Sequence, residues 1–88
     1  EIAKFYKKAK DIQEGVYVID IDTNGPGYRA GIRIDDIITK IENIDVTNML
    51  DLRKAIYSYR VGDSIRVEVL RNNRSHILDV ELAKKPTI

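Results

Sequence analysis

One stretch, Gly25-Pro26-Gly27-Tyr28-Arg29-Ala30-Gly31-Ile32-Arg33-Ile34-Asp35-Asp36-Ile37-Ile38, sets a tight turn, a single helical turn and a buried strand in a fixed order. Gly25-Pro26 stops whatever strand precedes it, because proline has no amide to donate to a ladder. Gly31 supplies a position where positive φ carries no side-chain penalty, the usual way to end a helical turn. Ile32 and Ile34 are expected to return the chain to the core, and Asp35-Asp36 to turn it into the apolar run that follows. Each signal is weak alone; their order is what constrains the fold.

The flanks fit that frame. Residues 1–10 place Ile2, Phe5, Tyr6 and Ala9 at helical spacing, with Lys4, Lys7, Lys8 and Lys10 mostly opposite, which predicts a short amphipathic helix at about 2–10 with a solvated basic face. Gly15 then releases Val16-Tyr17-Val18-Ile19-Asp20-Ile21, dense in β-branched and aromatic residues and read as a strand. A second strand is expected at 36–42, with imperfect alternation, followed by Asn43 as a turn residue and Ile44-Asp45-Val46 as a short extension. Thr47 or Asn48 can cap the next helix, and Met49, Leu52, Ala55, Ile56 and Tyr59 fall on one stripe. Val61-Gly62-Asp63 is expected to end that helix. Ile65, Val67 and Val69 alternate with Arg66 and Glu68, and Leu78, Val80 and Leu82 with Asp79 and Glu81, around Asn72-Asn73, where asparagine tolerates the positive φ of a two-residue hairpin turn.

With 88 residues, one domain is expected, burying roughly 60–65% of its unfolded surface. It divides into a lead-in (1–14), a core (15–82) and a tail (83–88). Fifteen Lys and Arg against fourteen Asp and Glu leave a formal charge of +1, so no global field draws the chain to nucleic acid. The absence of cysteine excludes disulfides and thiolate sites and leaves the compartment open. No apolar run approaches the ~20 residues that span a bilayer, so this segment is not expected to insert in a membrane. His76 is the single histidine, which removes any two-histidine zinc site, and Ser75 beside it would point to the opposite face of a strand. Asp35 and Asp36 lack a cleft that would make them an acid and base pair, and Gly25 and Gly27 lack the Gly-Lys-Ser/Thr of a phosphate loop. No cofactor and no catalysis are expected of this chain.

Gly15-Val16-Tyr17-Val18, Gly25-Pro26, Ala30-Gly31-Ile32, Asp36-Ile37-Ile38, Leu52 to Ile56, Gly62-Asp63 and Val67-Glu68-Val69-Leu70-Arg71 together resemble a PDZ domain of bacterial type over roughly residues 15–82. They are most similar to the PDZ domains of HtrA/Deg-type trypsin-like serine proteases, in which a short helix commonly precedes the Gly-apolar-apolar-Val strand. Gly27 departs from that pattern, which usually has alanine after the proline, and Asn43-Ile44 departs from its usual Asn-Gly. The resemblance implies an α+β fold: a small, partly open β-barrel or sandwich of about five strands. It also implies one main groove helix at about 48–60, a short turn helix at 28–30 and the N-terminal helix.

It implies a function as well. PDZ-like domains capture C-terminal or extended unfolded segments by β-augmentation, the ligand backbone pairing with a sheet edge beside a helix. By similarity, Met49, Arg53 and Ile56 should look toward the peptide while Leu52 and Ala55 lean into the core. Ile56 would then help form the pocket for the last side chain, and Arg53 would meet an acidic or polar residue upstream. A core role for Met49 and Ile56 is the competing reading. The family's carboxylate-binding loop, a variant of Gly-Leu-Gly-Phe, comes before the N-terminal helix, and no such motif occurs here. The expectation is that it lies upstream of residue 1 or that the site is built differently. The implied partners are polypeptide termini and an upstream serine protease domain in a parent chain. The alternatives are a site-2-type metalloprotease, a C-terminal processing peptidase or a scaffolding protein with no protease.

Overall fold

The computed structural model describes residues 14–82, so the expected helix at 2–10 and the tail at 83–88 lie outside the described residues. Seven elements follow one another: β1 (Val16–Tyr17), α1 (Pro26–Ala30), β2 (Ile37–Ile41), β3 (Ile44–Asp45), α2 (Met49–Tyr57), β4 (Ser64–Arg71) and β5 (Arg74–Glu81). The five strands form one antiparallel sheet in the order β1-β2-β4-β5, with β3 also pairing β2. Among the described residues it stays open, with β1 and β5 at its two edges, rather than closing into a barrel.

The β4–β5 hairpin is the most regular part. Ser64 to Arg71 pair with Glu81 to Arg74 at every step. The turn is Asn72-Asn73, both at positive φ (51° and 63°), as the two-residue hairpin requires. Alternation then sends Ile65, Val67, Val69 and Val80 inward, where they are buried with Ile32, Ile38, Ile41, Val46, Leu52, Ile56 and Leu82.

Strand β2 departs from strict alternation because of a bulge. Ile38 faces Val69 and Lys40 faces Glu68, so two steps on β2 match one on β4 and Thr39 is the extra residue. Without it Ile38 and Ile41, three apart, would lie on opposite faces; with it both are buried. Thr39 is held in place by its hydroxyl, which donates to the Glu68 carbonyl at 3.2 Å, and by its own carbonyl, which accepts from Val46 N at 2.9 Å.

Helix α1 starts at Pro26, two residues before the expected 28–30, since proline suits the first helical position with its fixed φ and missing donor. It ends at Gly31, whose φ of 112° is the left-handed conformation read from the sequence. Helix α2 starts at Met49, capped by Asn48, whose side chain accepts from Asp51 N at 2.9 Å. It closes at Tyr57 rather than near residue 60. Ser58 Oγ donates to the Lys54 carbonyl, and the Arg60 amide goes to the Asp63 carboxylate at 2.8 Å instead of continuing the helix. A second expectation also fails: Ile34 does not return to the core but is 51% exposed. It sits at a corner of the Arg33–Asp36 turn, closed by Asp36 N donating to the Arg33 carbonyl, with Asp35 at φ 78°.

Candidate functional site

Beyond the two ladder pairs of β1 with β2 (Val16 with Ile38, Tyr17 with Ile37), one further residue continues the pairing: Val18 N donates to the Asp36 carbonyl at 2.9 Å, and Asp35 N donates to the Val18 carbonyl at 2.8 Å. Of the run 16–21 expected as a strand, only Val16–Tyr17 is one; Val18 adds these two bonds, and residues 19–22 continue outside the ladder. The side chain of Ile19 is exposed. Gly15 lets this edge lie close to β2, since a Cβ there would stand 2.5 Å from the Ile38 carbonyl oxygen.

Between this edge and the first turn of α2 lies an open depression of about 250 Å³. One wall is the segment 16–22, the other is Met49 and Leu52, and the floor is Ile32 and Ile38. Helical spacing explains the second wall, because positions three apart on a helix share a face. The lining is apolar apart from Asp20 and Asp22 at one end, whose carboxylates each accept a nearby backbone amide, from Ile21 and Asn24. Such a surface can hold apolar side chains; it has no nucleophile beside a base. No cluster of three or more His, Cys, Asp or Glu able to hold a metal ion occurs among the described residues.

Of the three residues expected to face a ligand, Met49, Arg53 and Ile56, this geometry brings only Met49 to the depression, and it adds Leu52, which was expected to lean into the core. Met49, about half exposed, and Leu52, buried, stand together in the depression. Ile56 is buried in the core cluster, and Arg53 is exposed on α2 outside the lining. The segment 16–22, Ile32 and Ile38 line it as well, although the sequence reading assigned them only to strands and core. The apolar run after Gly15 is the signal that could have flagged the first of these. Ser75 and His76 flank successive ladder positions, opposite Leu70 and Val69, so they point to opposite faces of β5.

The turn role expected of Asp36 is present, and both Asp36 and Asp51 make further bonds. Thr47, rather than capping α2, donates its hydroxyl (2.8 Å) and amide (3.1 Å) to the Asp51 carboxylate. Those bonds, with a smaller contribution from Lys54, hold the Asp51 carboxyl below its ordinary pKa. Asp36 is 1% exposed. It accepts from Arg33 N at 2.8 Å and forms a two-pronged ion pair with Arg71, Nε to Oδ1 at 2.7 Å and Nη2 to Oδ2 at 2.6 Å. Arg71 Nη2 also reaches the Gly31 carbonyl at 2.8 Å. The hydrogen-bonded carboxylate keeps the Arg71 guanidinium protonated even more firmly than usual.

Comparison with known proteins gives a consistent family. A family model described as PDZ domain matches residues 6–82. The serine protease Do-like HtrA of Lactococcus lactis is 33% identical over 78 residues, covering 89% of this chain and 19% of that protein. The serine protease Do-like HtrB of Bacillus subtilis is 36% identical over 73 residues, covering 82% and 16%. The chain thus spans less than a fifth of the length of these relatives. Among solved structures, the PDZ domain of HtrA3 bound to a phage-derived ligand (FGRWV) superposes with a TM-score of 0.73 at 23% identity, covering 91% of this chain and 71% of that one.

Proposed function

This chain belongs to the PDZ domain family, and we propose that it takes up C-terminal or extended unfolded polypeptide segments by β-augmentation. The observation that carries this reading is the depression itself, an apolar trough with β1 and the segment that follows it along one side and a helix along the other. A strand laid against residues 16–22 would extend the sheet, and its alternate side chains would enter the trough. Met49 and Leu52 then supply the apolar contacts on α2, Ile56 backs them from the core, and Arg53 stands free on the same helix to meet an acidic or polar ligand residue. The structural likeness to a PDZ domain holding a peptide ligand supports the same use of the fold.

The relatives are serine proteases much longer than this chain. On that basis the module serves as the regulatory or substrate-presenting part of a serine endopeptidase whose catalytic residues lie in another domain. The chemistry of this segment agrees, with one histidine and no cysteine in the sequence.

The test is a titration with short apolar-ended peptides, free and amidated at the C-terminus, followed through backbone amide shifts. Shifts are expected at 16–22 and along Met49–Tyr57. Both peptides should act alike on residues 1–88, in which no Gly-Leu-Gly-Phe-type motif occurs, if no other group there holds the carboxylate. If neither peptide moves the α2 amides, the reading fails.

A further inference from the structure

We propose that Asp36 and Arg71 are positioning residues for the trough, fixing its 16–22 wall from behind without touching a ligand; this rests on the peptide-binding reading above. The argument begins with where Arg71 stands. It continues the inward row Ile65, Val67, Val69 of β4, a place where the pattern calls for another apolar side chain. Its charge is instead consumed by Asp36, thirty-five residues earlier in the chain.

What that pair holds is the loop between α1 and β2. Arg71 grips it at the Gly31 carbonyl and at the Asp36 carboxylate, and Asp36 in turn grips Arg33 N. Arg33 adds a second tie, stacked on the Tyr28 ring at 3.8 Å and donating to the Tyr28 and Ile32 carbonyls. The same loop carries the two backbone groups that hold Val18, the Asp35 amide and the Asp36 carbonyl. It also carries Ile32, the floor of the trough. The chain of contacts therefore runs from Arg71 through Asp36 to Val18, in the 16–22 wall, with no gap.

An ion pair with one buried partner is a poor device for raw stability, since well-packed apolar residues often serve as well or better. Its two-pronged geometry is a good device for fixing one conformation. At this position the loop includes a non-glycine residue at positive φ, Asp35, and offers Val18 two bonds only if that conformation is kept. The pair supplies the constraint.

The experiment compares wild type with Arg71→Met, which keeps the apolar stem, and Arg71→Lys, which keeps the charge but can neither grip both oxygens nor reach Gly31 as a fork. Amide hydrogen exchange and affinity for the free apolar-ended peptide are read under conditions where every variant is folded. In Arg71→Met, exchange at Val18 and Asp35 should quicken by about tenfold relative to the β4–β5 ladder, as expected for local opening. Peptide affinity should weaken by about threefold to tenfold, the range of coupling through a packed network, and Arg71→Lys should recover part of both. Equal acceleration at Val18 and throughout the hairpin would reduce the pair to general stability and overturn the proposal. So would local acceleration with unchanged affinity. A wild-type chain that binds no peptide would instead overturn the reading beneath it, leaving the exchange data to show whether the pair holds the wall.

Discussion

The two edges of the sheet are built in opposite ways. On one side β4 and β5 pair over eight consecutive positions, joined by a two-residue turn whose asparagines take up the required positive φ. On the other, β1 offers two ladder pairs and the bonds of Val18. The first edge is sustained by neighbours in sequence, and its inward side chains form much of the core. The second depends on distant partners: β2, the Asp36 loop, and through it Arg71. Regularity and site construction are thus divided between the edges. Under the proposed peptide-binding reading, a surface that must remain open to another chain cannot also be saturated with its own contacts.

That contrast can be broken most forcefully from the hairpin. Ile65→Ala removes a fully buried side chain and should cost about 2–5 kcal/mol, lowering the thermal midpoint of the whole fold and quickening exchange everywhere. Loss confined to the hairpin would show that the edges fold independently. Gly15→Ala is the sharper probe of the other side. Its new Cβ would stand 2.5 Å from the Ile38 carbonyl oxygen and 2.7 Å from Ile37 Cγ2, so β1 must lift from β2 at a cost of about 1–3 kcal/mol. Exchange should rise at Val18 well before it rises at Val67; a uniform rise would erase the distinction drawn between the edges.

The smallest effect concerns the helix wall and acid. The Asp51 carboxyl titrates below its ordinary value of 3.8 in the folded chain, chiefly because of the Thr47 hydroxyl. The unfolded chain therefore takes up that proton more readily. The contribution is complete above the ordinary value and is lost as pH falls through the lower folded one. In urea unfolding, Asp51→Asn should be slightly less stable than wild type at neutral pH, and the gap should close in acid. A gap that persists unchanged through the acid range would show that the Thr47 bonds do not depend on the charge.

How much of this was legible depended on distance along the chain. The hairpin could be read because alternation and Asn72-Asn73 are local signals, and α1 because Pro26 and Gly31 are its own punctuation. The stripe on α2 was visible, but its end was not, since Asp63 takes the Arg60 amide through a side chain that periodicity ignores. The bulge at Thr39 was present only as imperfect alternation. Asp36 read as a turn former because nothing near it announces Arg71, and Arg71 entered only as the end of the Val67-to-Arg71 stretch that carries the resemblance. The trough was half legible: Met49 and Leu52 follow from helical spacing, whereas the opposing wall is a matter of how far apart two elements come to rest.

The extra residue in β2 has a consequence for solubility. β1 and β3 pair along β2 at different ends, at residues 37–38 and 40–41, with the bulged Thr39 between them. A bulge bends and further twists its strand, so this margin of the sheet is broken into two short, differently aimed pieces instead of one flat run. Amyloid-like stacking needs a straight template of six or seven residues, and short, twisted edges are a recognised protection against it. The margin can therefore stay exposed and still refuse to seed a fibre.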